Sequence, residues 1–136
     1  LNASLRRKLE EIERTLSKVV ARSQIGIPIV VEGRRDEEAL RRLKARGKII
    51  CLKATADGFY DFAARLFEAR EVTVLTDFDR EGSRLAAKLV NELTHMKVKA
   101  DITAWKKLKA LCRAEIRTVE ELADYVEKLR EEAAAG

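Results

Sequence analysis

Two aspartates one residue apart, Asp77 and Asp79, close an apolar run rich in β-branched residues, Val72-Thr73-Val74-Leu75-Thr76. In an extended segment alternate side chains point the same way, so both carboxylates can aim at one point. Carboxylates held that closely repel unless a cation or a proton sits between them. Mg²⁺ is the natural occupant, because it takes carboxylate oxygens and keeps waters that a phosphate can displace. A third acid, Glu32, ends an earlier apolar run, Ile27-Pro28-Ile29-Val30-Val31. If the two runs are neighbouring strands, the three acids meet at one edge of a sheet. Phosphoryl transfer needs such a set: charge neutralised on non-bridging oxygens and a proton moved at the attacking or leaving oxygen. Arg34, Lys53, Arg80 and Arg84, with Arg35 beside them, lie near the same edge by sequence and can neutralise flanking phosphates. The plainer role for each is a solvated helix-face charge. The plainer roles for the aspartates are a helix N-cap at Asp79 and a polar strand end at Asp77.

The elements that must position these acids alternate between strand and helix. Behind Asp79, Leu85, Ala86, Leu89, Val90 and Leu93 line one face of a helix. Behind Glu32-Gly33, Ala39, Leu40 and Leu43 do the same, with Gly47 as a C-cap glycine. Lys48–Leu52 reads as a second strand. Asp57 is placed to cap a helix whose apolar face is Phe59, Phe62, Ala63, Leu66 and Phe67, a core face rather than a stacking platform. Val98–Ile102 is a shorter, more polar strand, hence an edge. Trp105, Leu108 and Leu111 mark a short helix, and Thr118-Val119-Glu120-Glu121 is a capping box for a last helix through Leu122, Tyr125, Val126 and Leu129. The tail 131–136 is expected to fray. Such alternation predicts a four-stranded, mostly parallel sheet with helices on both faces, ligands binding where strand carboxyl ends meet helix N-termini.

Ahead of all this, Leu5, Leu9, Ile12, Leu16 and Val19 form a narrow apolar seam on a helix of about five turns. Glu10 and Arg14 stand four apart on it. The seam is expected to pack across its own domain, with a homodimer or a protein partner as the alternative. The division expected is residues 1–24 as an N-terminal amphipathic helix and 25–136 as the α/β unit with its C-terminal helices, one domain in all. The 136 residues suit a core of ordinary size; 38% are charged and 46% hydrophobic, which sets the chain apart from disordered sequences. A formal net charge of +5 favours a polyanionic partner. Cys51 and Cys112 lack metal-ligand spacing. No stretch is long or apolar enough for a signal peptide or a membrane span, so a cytoplasmic location is expected. The first residue is Leu1 rather than Met, as in a chain whose native start is missing.

A strand ending in Glu-Gly with a nearby Asp, followed by a later strand ending in Asp-x-Asp, resembles the Toprim domain of topoisomerases, bacterial-type primases, OLD-family nucleases and 5S rRNA maturases. VVEGRRDEEAL (Val30–Leu40) looks like its first motif. TDFDREG (Thr76–Gly82) looks like the type IA topoisomerase form of its second. The resemblance spans roughly residues 27–103 and is nearest to small stand-alone archaeal Toprim proteins. It implies a Rossmann-like fold, Glu32 as general acid/base, Asp77 and Asp79 as Mg²⁺ ligands, Glu32 and Glu81 as further acids of the metal set, and Asp36 in a structural role or supporting the ligands. Ser83 departs from that pattern, which has another acid there, and the departure bears on a second metal. Haloacid dehalogenase phosphatases also place Asp-x-Asp after an apolar strand, but after the first one and with a Thr shortly following; here Arg80-Glu81-Gly82 follows. Type IA topoisomerases carry their nucleophilic tyrosine in a separate domain, so neither Tyr60 nor Tyr125 is expected to attack DNA. His95 suits a helix C-terminus. The expected activity is Mg²⁺-dependent phosphodiester chemistry on RNA or DNA, as a small nuclease. The competing class is a non-catalytic nucleic-acid-binding or ribonucleoprotein accessory module that keeps the metal site.

Overall fold

The computed structural model describes residues 3–54, 62, 65, 66 and 68–135. Strands β1 (Ile29–Val31), β2 (Ile49–Cys51), β3 (Glu71–Val74) and β4 (Lys99–Asp101) form one sheet in the order β2-β1-β3-β4. Every pair is parallel. β1 and β2 are buried along their whole length and carry mainly β-branched residues, as sheet interiors covered on both sides do. β4 is half-exposed and forms the predicted edge.

Five α-helices are described: α1 (Ala3–Gln24), α2 (Arg34–Arg42), α3 (Arg80–His95), α4 (Thr103–Cys112) and α5 (Leu122–Ala135). Single 3₁₀ turns stand at Leu52–Ala54 and Val119–Glu121. α1 packs on α4 and α5, and α2 on α5, making one helical layer. The β1-to-β2 and β3-to-β4 crossovers run in opposite directions along the sheet. Right-handed connection therefore puts α3 on the other face from α2. The predicted helix around Asp57, Phe59, Ala63 and Phe67, with Tyr60, lies outside the described residues; Phe62 and Leu66 are buried as expected.

The N-terminal seam packs within this chain. Leu9, Ile12, Leu16 and Val19 are all buried against the helical layer, and Ile12 is fully so. Arg130 clamps Glu13 through two nitrogens at 3.0 and 2.8 Å, and Lys8 meets Glu115 at 2.8 Å. Arg14 pairs with Glu11, one turn back at 3.2 Å, instead of the expected Glu10.

Two ends differ from expectation. α2 stops at Leu43, and Lys44 takes the left-handed conformation (φ 79°) in place of a glycine. Gly47 is also left-handed (φ 73°), and a Cβ there would lie 2.9 Å from the Ser23 carbonyl oxygen, so it serves chain approach rather than capping. α5 runs on through the supposed frayed tail: Ala133 is buried, and its carbonyl accepts from Arg6 Nη2 at 3.4 Å. Burial holds the Cys51 and Cys112 thiols up at about 11, so both stay protonated near neutrality. No helix among the described residues is long and apolar enough to cross a membrane.

If α1 is part of this core, Ile12→Ala should lower the unfolding free energy by about 2–5 kcal/mol, measured by denaturant titration. An effect below about 0.5 kcal/mol would mean that α1 does not bury this side chain in solution.

Candidate active site at the carboxyl edge of the sheet

β1 and β3 are neighbours, which brings the distant acids together. Their ladder runs on past the strands: Leu75 N–H donates to the Val30 carbonyl at 2.8 Å, and Asp77 N–H donates to Glu32 Oε2 at 2.8 Å. The Glu32 side chain thus takes over from the backbone in tying the two strand ends. Glu32 is buried, with 6% of its surface exposed, and its carbonyl accepts from Lys53 N–H at 2.9 Å. The Lys53 ammonium stands 4.0 Å from Glu32 Oε1 but is largely solvated, so it screens that charge weakly.

The Asp-x-Asp segment is fixed from three sides. Phe78, between the two acids, is buried, and its N–H donates to the Arg117 carbonyl at 2.8 Å. Asp77 Oδ1 accepts from Val119 N–H at 2.9 Å, and the Asp77 carbonyl accepts from the Trp105 indole at 3.2 Å. Asp79 is the N-cap of α3, its Oδ1 accepting from Gly82 N–H at 2.7 Å. Gly82 explains the tight exit from the strand. A Cβ there would fall 1.9 Å from the Asp77 carbonyl oxygen, so only glycine lets the first turn of α3 lie on that backbone. Thr76 Oγ1 closes the same turn by donating to the Gly82 carbonyl at 2.8 Å.

A cleft of about 270 Å³ opens over Glu32 and Asp77, walled by Asp36, Arg34, Arg35 and Lys53 among others. Asp36 is buried and accepts from Gly33 N–H at 2.9 Å, closing the first turn of α2. Burial pushes Asp36 above the usual carboxylate range. Asp77 is held up at about 7, first by burial; the Val119 N–H pulls it down, and the negative charges of Glu32, Asp36 and Asp79 push it up. Four carboxylates, those of Glu32, Asp36, Asp77 and Glu120, thus line the cleft beside three cations, Arg34, Arg35 and Lys53.

The remaining candidates spread along α3. Glu81 is exposed and pairs with Arg84 at 3.3 Å, and Arg80 is exposed at the helix start. His95 is the last residue of α3, its Nδ1 2.7 Å from the Asn91 carbonyl, as the dipole reading expects. Sequence reasoning missed Lys109. From α4 it donates to Ser83 Oγ at 2.6 Å while lying 5.1 Å from the Trp105 ring centroid, and Ser83 in turn donates to the Asp79 carbonyl at 3.0 Å. A cation thus stands where the related motif has an acid. The 3₁₀ turn at Val119–Glu121 was likewise legible only as a cap: Thr118 N–H and Oγ1 both donate to Glu121 Oε1, at 3.2 and 2.7 Å.

For a divalent cation the donors are of the right chemistry, all carboxylate oxygens. One oxygen each of Glu32, Asp77 and Asp79 accepts a backbone N–H, while the second oxygens of Asp77 and Asp79 have no hydrogen bond among the described residues. Those residues do not draw three acid, His or Cys side chains close enough together to enclose a metal in this conformation. The fit is thus one of charge and donor type.

A parallel α/β sheet with acids gathered at its strand ends defines the class: a Rossmann-like domain with an acidic ligand edge. Comparison with known families narrows this. The Toprim domain model matches residues 27–119, and the chain belongs to that family. Toprim domains serve metal-dependent chemistry on nucleic acids and generally bind Mg²⁺. Among curated relatives, a UPF0292 protein of Methanosarcina barkeri is 37% identical over 126 residues, covering 92% of this chain and 87% of its own. A UPF0292 protein of Thermococcus kodakarensis is 43% identical over 94 residues, 69% of each chain. Both are archaeal. A solved structure described as a putative protein from Aquifex aeolicus superposes with a TM-score of 0.65 at 24% identity, covering 79% of this chain and 94% of that one, and so shares the fold.

Two outcomes follow from this geometry. Gly82→Ala should destabilise the fold by about 1–3 kcal/mol or more, since backbone rather than a flexible side chain must move. Asp77 binds its proton more tightly folded than unfolded. With a chelator present, its contribution is therefore greatest near pH 4 and is lost as pH rises through about 7. Asp77→Asn should remove that downward slope from the stability–pH curve measured by thermal unfolding; parallel curves would show that the group is not buried as described.

Proposed function

We propose that the chain is a small Mg²⁺-dependent nuclease acting on phosphodiesters of RNA or DNA. One observation carries the reading: Glu32 and Asp77, far apart in sequence, are joined by the 2.8 Å hydrogen bond and line one cleft with Asp36. Family membership supplies the substrate class.

Asp77 and Asp79, with Glu32, would hold the cation, and Glu81 stands further out on α3. Mg²⁺, when bound, neutralises non-bridging phosphate oxygens. The chain's own residues do the rest. Glu32, its orientation fixed by Asp77 N–H, would carry a proton at the attacking or leaving oxygen. Val119 N–H and the Trp105 indole keep Asp77 still. Arg34 and Lys53 border the cleft, where a phosphate chain on either side of the reacting group would run; Arg80 and Arg84 extend that border along α3.

Labelled structured RNA and single- and double-stranded DNA, incubated with Mg²⁺ or with chelator, test the reading. Cleavage is expected with Mg²⁺ only, and Glu32→Gln and Asp77→Asn should each reduce it at least about 100-fold. Binding without cutting, unchanged by Glu32→Gln, would identify a non-catalytic module instead.

A further inference from the structure

Lys109 differs from the other cations named at the acidic edge in being built into it. Arg34, Arg35, Lys53, Arg80 and Arg84 are exposed, whereas Lys109 is half-buried between α4 and the start of α3. Its ammonium donates to Ser83 Oγ at 2.6 Å and lies 5.1 Å from the Trp105 ring centroid. Each contact leads on to the backbone of one acid. Ser83 Oγ donates to the Asp79 carbonyl at 3.0 Å, and the Trp105 indole donates to the Asp77 carbonyl at 3.2 Å. One side chain is thereby linked to both halves of the Asp-x-Asp segment. Accepting from an ammonium polarises the Ser83 hydroxyl and strengthens its bond to Asp79.

No acid offsets this cation. Thr103–Cys112 carries Lys106, Lys107 and Lys109 and not one acidic residue. Lys107 pairs with Glu11 at 3.6 Å, while Lys109 has no ion pair among the described residues. A lysine serving only to tie α4 to α3 would gain from a carboxylate at position 83, where serine gives it a neutral acceptor. Its charge is left available beside two aspartates whose second oxygens accept no hydrogen bond among the described residues. A divalent ion takes carboxylate oxygens, and a second ion at a phosphate needs further ones. The first turn of α3, where the related motif has an acid, offers a hydroxyl with an ammonium against it. A second ion there would meet a like charge in place of a ligand.

We propose that Lys109 is a positioning residue that takes the place of a second divalent cation, so that the acidic edge binds one ion and not two. The inference rests on the reading of Asp77 and Asp79 as cation ligands, and it stands whether or not the chain cleaves nucleic acid.

Mn²⁺ is the probe, counted by electron paramagnetic resonance as the ions that Asp77→Asn abolishes. The wild type should bind one such ion, with no magnetic coupling to another. Trp105, the chain's only tryptophan, lies against both Lys109 and Asp77, so its emission gives a second titration of the same site. Ser83→Glu alone should still bind one ion, because the new carboxylate pairs with Lys109. Lys109→Met alone, which keeps an unbranched stem beside Trp105, should also bind one, because no acid stands at 83. Only the two together should bind a second, magnetically coupled ion, and Ser83→Glu with Lys109→Arg should return the count to one. Two Asp77-dependent ions in the wild type would overturn the proposal. So would a folded Ser83→Glu, Lys109→Met variant that stays at one. No Asp77-dependent ion in any variant would overturn the reading of the carboxylates and this proposal with it. One ion without cleavage of RNA or DNA would remove the nuclease reading and leave this one supported.

Discussion

The hydrogen bond from Asp77 N–H to Glu32 Oε2 is the contact on which the acidic edge depends. A parallel ladder ends where its strands end, and the next residues normally diverge into separate loops. Here a buried carboxylate extends the pairing of β1 with β3 by one more rung. Two consequences follow from a single group: the strand exits stay in register, and one acid is fixed against another's backbone. A charge inside a fold is costly unless hydrogen-bonded, and this one is bonded through the very segment it positions.

That economy explains why the second acidic segment is gripped so firmly. Burial and like charge hold Asp77 at about 7, and a group so placed would relax outward if its backbone were free. The indole of Trp105, the N–H of Val119 and the close seat of Gly82 remove that freedom. The like-charge repulsion that a free loop would relieve by moving outward is thereby held in place.

Much of this was legible in the chain, for a physical reason. Strands buried on both faces write themselves as β-branched runs, and the Asp77 and Asp79 side chains, with Glu32, advertise their chemistry directly. The family motifs then linked the two runs. What stayed hidden is what side-chain identity does not encode. The donor at residue 119 is a backbone N–H, which any residue but proline would supply. Lys109 reaches Ser83 only because α4 lies beside the start of α3. Lys44 adopts a left-handed turn that favours glycine, which drew the expected cap to Gly47 instead. The alanine-rich end of α5 looked loose, but Ala133 finds cover against α1. Local propensity yields in each case to packing.

The fastening of Asp77 and Phe78 onto residues 117–119 has one more implication. These residues come after the last strand, so a trimmed fragment ending at β4 would keep the whole sheet yet lose both of these ties and the Trp105 indole's as well. The family match itself extends to residue 119 and ends on the very amide that meets Asp77. The smallest excisable piece able to preserve this edge is thus larger than its sheet, and α4 counts as a part of the acidic centre rather than an appendage.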